Sequence, residues 1–107
     1  MARKIIWTNT ARNDYFEIVD YLIDNWDRKS VRDFCRAVNK QIRLISKMPK
    51  MYPKTDARKN VRCCVVAKQV SMYYLDMALD DEIVIIRFYD NRKNPDTLPD
   101  ALNESDL

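Results

Sequence analysis

Not one glycine occurs in the 107 residues of this chain, and this restricts both its turns and its chemistry. Left-handed turn positions must be filled by Asp or Asn, the side chains that best tolerate positive φ after glycine. Loops that cradle phosphates need glycine for close backbone approach, so nucleotide-binding folds of that kind are excluded. What remains must be built from regular elements joined by turns of Asp, Asn, Thr and Pro.

The hydrophobic periods supply those elements. Lys4–Trp7 predicts a short strand, followed by the helix-capping types Thr8, Asn9 and Thr10. Ala11, Tyr15, Ile18, Leu22 and Trp26 recur at helical spacing, with Asp14, Glu17, Asp20 and Asp24 among the polar positions. Asn25-Trp26-Asp27 ends that helix, and Ser30-Val31-Arg32-Asp33 resembles a capping box for a second. Val31, Phe34, Cys35, Val38, Ile42 and Ile45 share one side of the second helix, which stops before Pro49. Two such helices joined by a few residues form an antiparallel hairpin.

Lys50 to Asn60 carries the turn signals Pro53 and Thr55-Asp56 and predicts an exposed basic loop. Three strands are then predicted, Val61–Val66, Val70–Met77 and Ile83–Tyr89, turning at Ala67-Lys68-Gln69 and at Asp80-Asp81. The fold class is therefore α+β, in the order β-α-α-β-β-β. An antiparallel helical hairpin packs on one face of a small, mostly antiparallel sheet. Residues 1–95 form a single domain, and 96–107 is polar, acidic and without hydrophobic period, as expected of a flexible tail.

Composition bounds the rest. With 47% apolar and 33% charged residues the chain is ordinary globular protein. No apolar run approaches the roughly 18 residues of a membrane helix, and the one at Ile5 stops at Thr8, too short for a signal peptide. Cys35, Cys63 and Cys64 are odd in number, and adjacent cysteines bridge only with strain, so reduced thiols of a cytoplasmic protein are expected. With no histidine and no C-x-x-C pair, neither a metal site nor a cofactor is expected.

Charge is the most directional feature. From Arg28 to Lys68 there are 13 Lys or Arg against two acids, a net of +11, while the rest of the chain nets −8. Arg32, Arg36, Lys40, Arg43 and Lys47 fall at helical steps along the second helix, and Lys54, Arg58 and Lys59 continue the charge through the loop. Together they form a candidate surface for an acidic partner or nucleic acid, set against the plain alternative of a solvated face balanced by the acids of the first helix. A second cluster gathers at the last strand, where Arg87, Tyr89, Asp90, Arg92 and Lys93 could be approached across the sheet by Arg62. Arg62, Arg87, Tyr89 and Arg92 are the catalytic candidates if the chain cuts phosphodiesters, since arginines clamp phosphate and a phenol can move a proton. The alternative is a structural ion pair of Arg87 with Asp90, and Arg62 and Arg87 are expected to be exposed. Without histidine, binding outranks catalysis.

Several stretches together resemble the RelE/ParE superfamily of toxins from type II toxin–antitoxin modules. They are Ile5-Ile6-Trp7-Thr8, Ala11 to Tyr15, Ile18 to Leu22, Trp26, Pro49 with Tyr52-Pro53, Val61-Arg62, Tyr73-Tyr74, and Ile85-Ile86-Arg87 through Arg92-Lys93-Asn94-Pro95. The resemblance implies a bacterial growth-inhibiting toxin of a plasmid-stabilisation module, silenced by a cognate acidic antitoxin in a hetero-oligomer. Its target would be DNA gyrase on the ParE side or ribosome-bound mRNA on the RelE side. The long hairpin, Asn9 to Met48, looks more like ParE. Tyr89-Asp90-Asn91 stands where histidine is common in the superfamily, which also tilts the resemblance away from a nuclease.

Overall fold

The computed structural model describes residues 2–104. Its elements are β1 (Lys4–Trp7), α1 (Asn9–Asn25), α2 (Arg28–Lys47), β2 (Val61–Ala67), β3 (Val70–Met77), β4 (Glu82–Asp90) and α3 (Leu98–Asn103), with 3₁₀ turns at Ala78–Asp80 and Pro95–Thr97. The four strands form one sheet in the order β1-β4-β3-β2. The β2–β3–β4 meander is antiparallel, and β1 adds in parallel to β4, with Ile6 opposite Val84. The predicted α+β hairpin-on-sheet fold is the one the chain adopts.

Both helices of the hairpin start on a side-chain cap. The Thr8 hydroxyl accepts from the Ala11 N–H at 3.0 Å and donates to the Ile86 carbonyl at 3.1 Å, fixing α1 to the sheet as well as starting it. For α2 the cap is Asp27 rather than Ser30, its carboxylate accepting from the Ser30 N–H at 2.8 Å. That bond holds the Asp27 carboxyl below its usual range. The helix therefore begins three residues earlier than the capping-box pattern suggests. The apolar stripe of α1 runs inward through Ala11, Tyr15, Ile18 and Leu22, but Trp26, just past the helix end on extended backbone, is 63% exposed.

Both faces of the sheet are covered. On the helix side Phe34, Val38 and Ile45 of α2 pack on Cys64, Met72, Tyr74, Ile83, Ile85 and Phe88. The rings of Trp7, Tyr15, Phe34 and Phe88 pack there at 5.3–5.7 Å between centroids. The opposite face carries Val61, Tyr73, Val84, Ile86 and Tyr89, covered by Leu98, Ala101 and Leu102. Here the expectation of a loose tail from residue 96 does not describe the chain: Pro95–Thr97 and Leu98–Asn103 are helical turns, and Leu102 is fully buried. Leu98, Ala101 and Leu102 lie at helical spacing, a period too short to stand out, and the apolar back of the sheet supplies the ordering energy. The last three residues of that tail lie outside the described residues.

Without glycine, Asp81 (φ 56°) closes the turn into β4, and Asn60 (φ 66°) the loop into β2. The loop before β2 is less free than its composition suggests. The Cys63 N–H donates to the Pro53 carbonyl at 3.0 Å, and the Thr55 N–H to the Val61 carbonyl at 2.8 Å, so Pro53–Thr55 lines the outer edge of β2. No helix among the described residues is long and apolar enough to cross a membrane.

Candidate functional site

The candidate catalytic cluster does not assemble around one point. Arg62 stands opposite Tyr74, on the helix side of the sheet, and its guanidinium donates to the Tyr52 carbonyl at 2.6 Å. Arg87 and Tyr89 belong to the opposite side, and β3 lies between β2 and β4, which sets their backbones about 10 Å apart.

A bulge in β4 governs where Arg87 goes. Tyr73 pairs with Arg87 but Tyr74 pairs with Ile85, so Ile86 is the extra residue. Beyond it the sheet edge is open, because β1 ends opposite Ile85. The Arg87 guanidinium turns around that edge. Its Nε and Nη2 donate to Asp14 of α1 at 2.9 and 3.3 Å, and its Nη1 to the Ala101 carbonyl at 2.8 Å. Asp14 also accepts from the Phe88 N–H at 3.2 Å. Burial lifts the Asp14 carboxyl above its ordinary range despite the arginine beside it. Arg87 is thus a bolt through α1, β4 and α3, only 21% exposed, and its partner is Asp14 rather than Asp90. The sequence expectation of an exposed Arg87 is corrected by this geometry.

The other two candidates are also engaged. Tyr89 is buried under the C-terminal turns, its hydroxyl bonded to Thr97 and near the Asn94 carbonyl. Arg92 pairs with Asp90 at 2.7 Å, and that pair holds the Asp90 carboxyl below its usual range, a poor setting for a general base. Burial pushes the Cys64 thiol up to about 11, so it is not a reactive thiolate at neutral pH.

The cationic positions of α2 fare differently. Arg32, Arg36, Lys40, Arg43 and Lys47 are all exposed, on the side away from Phe34, Val38 and Ile45. None makes an ion pair among the described residues, and no acid of α1 reaches them. In the loop, Lys54 and Lys59 are exposed, while Arg58 is half-buried and donates to the Leu102 carbonyl at 3.0 Å.

Sequence reasoning did not find a groove of about 830 Å³ between the hairpin, the β2–β3 turn and the end of β4. Ile18, Leu22, Phe34, Val66, Val70 and Phe88 give it an apolar floor, and half-exposed Tyr21 and exposed Trp26 flank it. Its rim mixes Asp14, Glu17, Asp33 and Asp90 with Lys68, Arg92 and Lys93. An apolar channel with a charged rim of both signs suits an amphipathic polypeptide segment. Trp26, one turn beyond Leu22 at a helix end, was the available signal.

Comparison with known proteins agrees with the architecture. The family described as the ParE toxin of the type II toxin–antitoxin system, parDE, matches residues 5–95. No curated protein matches significantly. Among solved structures, the chromosomal ParDE toxin–antitoxin system from P. aeruginosa superposes with a TM-score of 0.69 at 15% identity, covering 83% of this chain and 96% of that one. The RelBE2 toxin–antitoxin complex from Mycobacterium tuberculosis gives 0.60 at 15% identity, over 87% and 95% of the two chains. A copper-bound mutant toxin from Helicobacter pylori gives 0.58 at 18% identity, over 84% and 96%. At these identities the structural likeness speaks for the fold.

Proposed function

Because the chain belongs to the ParE toxin family of type II toxin–antitoxin systems, we propose that it arrests growth by binding DNA gyrase, and that it does so without cutting RNA. The observation that carries this reading is the dispersal of the candidate nuclease residues. Arg62 lies across the sheet from Arg87 and Tyr89, Arg87 is spent on Asp14 and Ala101, and Tyr89 is buried. Ribonucleolysis needs a phosphate clamp and a base within hydrogen-bond reach of one reacting hydroxyl. This chain has no histidine, and of the carboxylates near the cluster Asp90 is held ionised by Arg92, while Asp14 is engaged by Arg87 and the Phe88 N–H. Blocking a protein target asks only for a shaped surface.

In the same reading a cognate antitoxin keeps the toxin silent by laying an amphipathic segment in the groove lined by Leu22, Phe34 and Trp26. The segregated charge of the Arg28–Lys68 region attracts an acidic partner from a distance. The complex is then a toxin–antitoxin hetero-oligomer.

Timing after induction separates the two targets. Gyrase poisoning produces DNA-damage signalling and gyrase-linked breaks within minutes while labelled amino acids are still incorporated. Translation stopping first, with messages cut inside codons at the ribosomal A site, would overturn the proposal and return Arg62, Arg87 and Tyr89 to the catalytic list.

A further inference from the structure

We infer that the outer face of α2 binds the phosphate backbone of duplex DNA, independently of the groove and of the toxin's target. Arg32, Arg36, Lys40, Arg43 and Lys47 span 16 residues of continuous helix, a straight cationic edge about 22 Å long. All five are exposed, and none is neutralised by an ion pair among the described residues. The only acid on the helix, Asp33, turns to the groove instead.

The chemistry of the face chooses between possible polyanions. A protein interface needs an apolar centre, and aromatic side chains are its usual anchors. Between these cations the exposed helix surface offers only Asn39, while the exposed aromatic side chains Phe16, Tyr21 and Trp26 lie on α1 or just past its end. A single-stranded nucleic acid is held by stacking its bases on aromatic rings, and the stripe has none. A row of cations with an amide and no apolar side chain matches a rigid, fully charged rod, where contacts go to phosphate oxygens and the interface stays wet. None of the five cations lines the groove, so a polypeptide seated there leaves the stripe free. A toxin held by its antitoxin would thus still add its own phosphate contacts wherever the pair meets DNA.

The test is fluorescence anisotropy of a labelled 24-base-pair DNA duplex titrated with the full-length chain across a salt series. Three to five phosphate contacts give a slope of log K against log salt of roughly −3 to −4.5. Replacing two central cations, Arg36→Gln with Lys40→Gln, reduces that slope by about 1.8. The control pair Lys4→Gln with Arg12→Gln changes the net charge equally and leaves the slope within error of the parent. Both pairs must melt like the parent, as exposed side chains with no ion pair should. Equal losses from the two pairs would mean net charge alone is responsible, and would overturn the assignment. So would no DNA binding at 50 mM salt alongside tight capture of labelled polyglutamate, or tighter binding of an RNA duplex of the same sequence.

Discussion

Replacing Arg87 with alanine tests the central geometric claim, that this arginine holds the fold together. The substitution removes two hydrogen bonds to Asp14 and one to the Ala101 carbonyl, and leaves the Asp14 carboxylate with the Phe88 N–H. Stranding one member of a fully buried ion pair costs about 3–5 kcal/mol. Here the two side chains are 21% and 12% exposed, so water recovers part of that, and about 2–3 kcal/mol is expected at pH 7. For a domain of this size the loss lowers the melting temperature by roughly 10–20 °C. The pH dependence has a definite sign. Asp14 already has a raised carboxyl pKa in the folded state, and losing Arg87 raises it further. A folded state that binds the proton more tightly than the unfolded chain gains stability as pH falls, so the deficit is largest at neutral pH and shrinks toward acid. Urea titrations at pH 7 and pH 4.5 measure this, and Asp14→Asn with Arg87→Ala closes the double-mutant cycle. A variant as stable as the parent at pH 7, but no longer toxic, would refute the structural role and make Arg87 a functional residue.

Other consequences of the geometry are as direct. Thr8→Ala removes both the α1 cap and the bond to Ile86, and thermal melting should show a loss of about 1–2 kcal/mol. Leu102→Ala empties a fully buried site beneath the sheet and costs about 2–4 kcal/mol, whereas a loose tail would make it silent in a urea titration. Trp26→Ala should leave the melting temperature within a few degrees, because the ring is mostly exposed, yet speed antitoxin dissociation at least tenfold in surface plasmon resonance. In stopped flow, antitoxin association should slow as salt rises while dissociation hardly changes, and a salt-indifferent rate would remove any role for the segregated charge in capture.

The element order was legible in the sequence because each element carries its own period. The stripe from Ala11 to Leu22, the face from Val31 to Ile45 and the alternating strands all report local burial. The turn at Asp80-Asp81 was legible because, without glycine, few residues can take positive φ. Contacts that join distant segments were not legible. Asp14 and Arg87 are 73 residues apart and meet only because a bulge at Ile86 redirects one strand, and no periodicity encodes an extra residue. The helix at Leu98 was hidden by its brevity, and its partner surface exists only once the sheet has formed. The basic stripe of α2 was visible as a pattern, but whether acids neutralise it depends on where Asp20 and Asp24 point.

The strand order has a consequence in time. β4, the last strand synthesised, lies inside the sheet between β1 and β3, and it holds the partners of the cap Thr8 and of Asp14. No earlier fragment can close the sheet, since β1 has no neighbour until β4 arrives. At about 5–20 residues per second, a nascent chain therefore spends several seconds with its helices made and β1 still unjoined to the β2–β3 hairpin. Such long-range closure also slows the final folding step. A toxin of this family built this way lacks its closed sheet until its last strand is made, and a cell has that interval in which to supply the antitoxin.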